Sequence, residues 1–289
     1  MAVTIDAKTV AKLREITGAG MMDCKKALND TEGDFDKAIE LLRTKGMATA
    51  EKKATRVAKD GCVALDISAD SKTGIIFELN CETDFVAKNE HFQDLLQDLK
   101  KQAIEKKFKS KEDFPAEQIK EFIAKLGENT SVGSFARYEA NANGYIGCYM
   151  HPSPNPNVFK LGVMVEVEAA NDPSANKAEL ATLTRDLAMQ IASLMPQYVN
   201  SSEIPAEVIQ KEKEIYMEQA RQEGKKEDFL EKIATGKLNK FYTQVCLIDQ
   251  AFIKDDKITV KQHVENISKQ IGNEIKIVRF ARIKVGEQA

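Results

Sequence analysis

Two stretches decide the fold: "TGIIFELNCETD", Thr73 to Asp84, and "LGVMVEVEAAND", Leu161 to Asp172. Laid one on the other without a gap, they match Gly74 with Gly162, Glu78 with Glu166 and Asp84 with Asp172, an offset of 162 − 74 = 88. The register continues into text of helical spacing, where Phe92, Leu95 and Leu99 fall on Leu180, Leu183 and Leu187, and Asp98 and Gln102 fall on identical Asp186 and Gln190. Each copy is an apolar strand followed by an amphipathic helix. The chain is therefore read as two related α+β halves, each a small antiparallel sheet with packed helices. The copies part after the shared aspartate, where the first has "DFVAKN" and the second "DPSANK". Whatever Phe85 does belongs to the first half alone.

Working outward, "CVALDIS" and "TGIIFELNC" predict a hairpin around "ADSKTG", and Asn89 is placed to cap the helix that begins at Glu90. A second helix is expected from Pro115 to Leu126, then a further hairpin of "SVGSFARYEA" and "GYIGCYMH" around "NANG". Residues 201–242 are highly charged, with sparse apolar positions (Ile204, Val208, Ile215, Phe229, Ile233) and a break at "QEGKK". They predict a helical hairpin with a narrow apolar seam, which either meets a partner or its own copy or packs back on its parent domain. "TQVCLIDQAF" reads as strand, "TVKQHVENISKQI" as helix and "IKIVRFARIKV" as the closing strand.

At the other end, Thr4 to Gly46 reads as three short helices. Their apolar faces carry Val10, Leu13 and Thr17, then Cys24, Ala27 and Leu28, then Phe35, Ala38, Ile39 and Leu42. Thr44 to Gly61 lacks a sustained apolar face and is expected to be a solvated tether, a reading favoured over contact of its basic residues with RNA. The expected organisation is a three-helix module over residues 1–50, a linker over 51–61, a first core half over 62–140, a second over 141–200 plus 243–289, and the inserted hairpin over 201–242.

Composition narrows the function. A chain of 289 residues with 30% charged and 43% apolar residues should fold throughout, as more than one domain. A formal net charge of −3 supplies no global field for nucleic acid, so none is expected as the main ligand. The five cysteines are widely spaced, with no CxxC pair, and read as buried thiols of a reducing compartment. No apolar run is long enough for a membrane span and the first residues lack a signal-like apolar core, so a cytoplasmic location is expected. The three histidines, His91, His151 and His263, are scattered, and no phosphate-binding glycine loop is present. Cys81 and His91 are the only thiol and imidazole near each other in sequence, and a thiol enzyme built on Cys81 is the one catalytic alternative.

Four segments, in order, carry a resemblance: "LREITGAGMMDCKKAL" (Leu13 to Leu28), "NCETDFVAKNEHF" (Asn80 to Phe92), "IGCYMH" followed by "LGVMVEVEA", and "DQAFIKDDKITV" (Asp249 to Val260). They closely resemble the corresponding segments of the bacterial elongation factor Ts family, guanine nucleotide exchange factors for elongation factor Tu. The resemblance covers essentially the whole chain. It implies a ubiquitin-associated-like (UBA-like) three-helix module, a duplicated α+β core and a hairpin that mediates homodimerisation in some members. It implies elongation factor Tu as partner, GDP-bound and nucleotide-free, and no cofactor of the chain's own. By the same resemblance Thr83, Asp84, Phe85 and Val86 enter the partner's GTPase domain near its magnesium, Leu13, Met21 and Met22 lie against that domain, and the second core half reaches another domain.

The bare residues leave other roles open. Thr83 or Asp84 serves equally as an N-cap and Phe85 as a hydrophobic staple, while Met21 and Met22 serve as core of the small module. A binding adaptor, with the N-terminal module capturing a ubiquitin-like or peptide ligand, is the rival of another class. Two departures from the family pattern are visible: Gln190 stands where some relatives have histidine, and after "IKVGEQA" the further C-terminal helix of some members, with its partner contact, is expected to be absent.

Overall fold

The computed structural model describes residues 5–287; residues 1–4 and 288–289, the outermost parts of the predicted module and second half, lie outside them. The chain opens with α1 (Ala7–Thr17), α2 (Met21–Asp30) and α3 (Phe35–Lys53). Asp6 caps α1 by accepting from the Thr9 N–H, Asp34 caps α3 through the Lys37 N–H, and Gly18 ends α1 at φ +67°, a conformation that glycine adopts without strain. Val10, Leu13, Cys24, Ala27, Leu28 and Ala38 close the core of this module.

The third helix runs further than the periodicity predicts. Thr44 to Lys53, expected as tether, continues α3 and lies along α6 (Ala116–Leu126) of the first core half. Ala50 is buried there, and a side chain on Gly46 would strike Ala124. Arg43 pairs with Glu121 at 2.6 Å, and Lys53 Nζ donates to Gly127 O at 2.7 Å, filling a carbonyl left open where α6 ends. Alanine-rich text that carries no stripe in isolation thus finds its apolar partner on another helix. Only residues 54–59 remain irregular before the first strand.

Two three-stranded antiparallel sheets form the core. The first, in order β1-β2-β3, comprises β1 (Asp60–Ile67), β2 (Thr73–Cys81) and β3 (Thr130–Glu139); the second, in order β4-β5-β8, comprises β4 (Gly144–Met150), β5 (Leu161–Ala169) and β8 (Ile275–Lys284). The expected hairpin around "NANG" does not form. β3 pairs with β2 and β4 with β5, so this turn is the crossover from one sheet to the other. A period of two puts alternate residues of β2 on opposite faces. Ile75, Phe77, Leu79 and Cys81 pack under α5 (Glu90–Glu105) and α6, whereas Ile76 faces the second sheet with Val63, Ile146, Met164 and Ile283. α7 (Lys177–Leu194) and α10 (Val260–Ile271) cover the far side of the second sheet. The layers run helix, sheet, sheet, helix.

The repeat is exact enough to be read across that central interface. A side chain on Gly74 would meet Met164, and one on Gly162 would meet Ile76; since 164 − 76 is again 88, the contacts are reciprocal. Phe77 faces Phe135 and Val165 faces Phe280, which adds a second offset, 280 − 135 = 145, relating β3 to β8 and α6 to α10. The difference, 145 − 88 = 57 residues, is inserted after α7. It holds the hairpin of α8 (Ala206–Gln222) and α9 (Glu227–Val245), and a short ribbon of β6 (Ala251–Phe252) and β7 (Asp255–Thr259). The hairpin closes on Ala220, Leu230, Ala234 and Leu238 and leaves Ile215 and Phe229 exposed. "TQVCLIDQAF" is not one strand, because α9 extends through Val245, Cys246 makes only a single bridge to Tyr198, and Ala251 and Phe252 alone belong to a strand. Among the described residues no helix is long and apolar enough to cross a membrane.

Candidate functional site

The repeat's point of divergence is a single exposed turn. Leaving β2 at Cys81, the chain enters α4 (Asp84–Ala87) with Thr83 as N-cap, its Oγ1 accepting from the Val86 N–H at 3.4 Å. Glu128, just beyond α6, grips the same residue twice: the Thr83 N–H donates to Oε2 at 3.0 Å and the Thr83 hydroxyl to Oε1 at 2.7 Å. The neighbouring Glu82 accepts from the Asn129 N–H at 2.7 Å, and Asn129 Nδ2 donates to Arg56 O at 2.6 Å. On the other side Ala87 is fully buried and its carbonyl accepts from Gln93 Nε2 at 2.6 Å. Val86 turns inward onto the first core. Between these anchors Phe85 stands 81% exposed. An aromatic ring held in water by a turn fixed at both ends is displayed, and the staple role for Phe85 is excluded by its exposure.

Asp84 sits beside it, 2.5 Å from Lys88 Nζ one turn along. The Lys88 ammonium, hydrogen-bonded to Asp84, holds its carboxyl below the usual carboxylate range. Both side chains are half exposed, so the pair is weak and readily exchanged for another partner. Thr83 is the N-cap the bare sequence allowed for. The grip by Glu128, which defines the turn, lies 128 − 83 = 45 residues away and has no local signature in the sequence.

The other expected site residues divide. Met21 and Met22, at the start of α2, are 44% and 74% exposed and so are not module core. Ile16 joins them as an exposed apolar residue of the module, unpredicted because it falls between the buried positions of α1. Leu13 is corrected: it is completely enclosed with Cys24 and Leu28, and a side chain held there supports the module without being presented to a partner. Gln190 is likewise enclosed. Its Nε2 donates to Gln250 Oε1 and Ala251 O, and its Oε1 accepts from the Ile253 N–H at 2.7 Å, so it locks the β6 ribbon onto α7. Gln190→Leu should strand these groups and lower stability by about 2–3 kcal/mol, measured as a shift in the urea midpoint at unchanged slope.

Cys81 does not form a reactive thiol. Burial, reinforced by the charges of Asp60 and Glu128, pushes it up to about 12, and its hydrogen goes to Thr83 O at 3.2 Å. Since the thiolate is the nucleophile, alkylation of native Cys81 at pH 8 should be negligible and should appear only on unfolding, as peptide mapping would register.

These features define an α+β protein with a helical module ahead of a duplicated core, one copy of which bears a rigid aromatic tip. Residues 82–287 match the family model described as Elongation factor TS. Curated relatives named elongation factor Ts include those of Symbiobacterium thermophilum (43% identical over 286 residues, 98% of this chain and 92% of the relative) and a Nitratiruptor species (44% over 294 residues, 99% and 94%). That of Aquifex aeolicus is 42% identical, with 99% of both chains covered. The chain belongs to the elongation factor Ts family, a family of translation elongation factors.

Proposed function

We propose that this protein is the guanine nucleotide exchange factor of elongation factor Tu in the cytoplasm, and that it acts through protein contacts by inserting the Thr83–Val86 turn beside the partner's magnesium and nucleotide. The observation that carries the proposal is the exposed Phe85 on a turn anchored by Glu128 and Gln93. A tip already ordered before binding loses little conformational freedom on docking, so more of its burial is available to displace partner groups. Magnesium demands near-ideal octahedral geometry, and a small displacement of its ligands removes much of what holds the nucleotide. Asp84, released from Lys88, supplies an acceptor for polar groups around the metal.

Magnitudes require help from elsewhere. A thousandfold faster release needs the barrier lowered by about 4 kcal/mol, whereas burying one aromatic side chain yields about 1.5–3 kcal/mol. Met21 and Met22 on the module and contacts of the second half supply the remainder in this scheme. Linkage then makes the nucleotide weaken the factor's binding as much as the factor weakens the nucleotide's. The test is release of a fluorescent GDP analogue from elongation factor Tu in excess unlabelled nucleotide. Acceleration by substoichiometric amounts of this protein is expected; tight binding without acceleration would reduce the function to that of an adaptor.

A further inference from the structure

The two halves differ in how a matching buried carboxylate is answered. Glu166 on β5 is enclosed and is answered by Arg279 of β8, whose Nε donates to Oε2 at 2.6 Å while the guanidinium lies over the Tyr138 ring, 4.2 Å from its centroid. The repeat puts Glu78 at the matching position of β2 (166 − 78 = 88) and Ser134 at that of Arg279 (279 − 134 = 145). Glu78 is just as enclosed, but among the described residues no cation pairs with it. It accepts only from two backbone N–H groups, those of Ser134 at 3.0 Å and Gly286 at 3.3 Å. A carboxylate offers about four acceptor sites, so roughly half of its capacity is unused.

Beside it opens a cleft of about 670 Å³, floored by Glu78, Asn80, Gly133 and Ser134. Asn80 is itself nine-tenths buried, and its Oδ1 has no hydrogen-bond partner. Buried acceptors of this kind are costly when left unmatched. The rim carries Lys59, Lys109 and Lys111 against Glu112 and Glu287, and Glu287 is already held by Arg282 and Lys284. The rim therefore adds no attraction for a cation, and the enclosed carboxylate must supply it, which disfavours a compact, strongly hydrated ammonium. A guanidinium is planar, delocalised, weakly hydrated and rich in donors, and suits an enclosed carboxylate with free acceptor sites. We propose that the cleft over Glu78 and Asn80 binds a guanidinium group from outside the chain, in the place that Arg279 fills from within in the second half.

The probe is N-acetyl-arginine amide, titrated into the full chain and followed by the backbone amide resonances of Ser134 and Gly286. Saturable shifts at both are expected, at least roughly tenfold weaker with N-acetyl-lysine amide, a difference of about 1.4 kcal/mol. Glu78→Gln should abolish them. Ser134→Arg, which restores the residue type of the second half, should also abolish binding while raising the melting temperature by several degrees. Absent or non-saturating shifts, equal response to the lysine probe, or unchanged binding in Ser134→Arg would overturn the assignment. Elongation factor Tu takes no part in this measurement, so its outcome is independent of the exchange activity.

Discussion

Phe85→Ala should slow catalysed GDP release from elongation factor Tu by about ten- to a hundredfold, the kinetic equivalent of the 1.5–3 kcal/mol that burial of the ring supplies. The melting temperature should hardly move, because the ring is in water and its removal leaves no cavity. That combination separates a wedge from a structural aromatic: loss of Phe77 or Phe92, both fully buried, would reduce stability first. Asp84→Ala should be milder, since Lys88 satisfies Asp84 in the free protein and the residue contributes only what it gains on leaving that pair. Equal release rates for wild type and Phe85→Ala would end the wedge assignment.

Gly61→Ala should destabilise the protein by about 3–5 kcal/mol, from a strained backbone together with overpacking. Gly61, the second residue of β1, has φ +141°, where L side chains are strained, and its Cβ would lie 2.8 Å from Asn80 Cα and against the carbonyl of Leu79. Backbone atoms cannot turn aside as a side chain would. The residue also faces Asn80 in the ladder, two positions before Glu82, so a shift there would be passed to the base of the exposed turn. Thermal unfolding and GDP release should therefore both suffer in this variant, in contrast to Phe85→Ala. A melting temperature within a degree or two of wild type would contradict the expected strain.

The duplicated core was legible because strand and helix of each copy are contiguous, so one offset of 88 exposes them. The second offset, 145, is less visible: β3 and β8 share only the tripeptide "FAR", Phe135 to Arg137 and Phe280 to Arg282, and the 57 inserted residues break the register. Caps at Asp34 and Asn89 were readable since they act over two or three residues. What escaped were pairings set by tertiary contact. The polar, alanine-rich end of α3 gains its apolar face only beside α6, and the strand of "GYIGCYMH" chose β5 over its sequence neighbour. At the candidate site Asp84 and Phe85 stood out through the family resemblance, whereas the bare residues allowed a cap and a staple, and the Glu128 that steadies the turn had no signal, since a lone glutamate after "KLG" looks like any surface acid. The burial of Leu13 was hidden for a related reason: a segment can match a binding motif while one of its leucines points inward.

The reciprocal packing of Gly74 on Met164 and Gly162 on Ile76 is the geometry of a two-fold homodimer interface written within one polypeptide. In a true homodimer every substitution appears twice, and a tip shaped for one partner would be presented in both directions. Covalent fusion lifts that constraint. One half can carry "DFVAKN" and a Glu78 without a cation while the other carries "DPSANK" and the Glu166 pair with Arg279, so a change on one side need not be matched on the other.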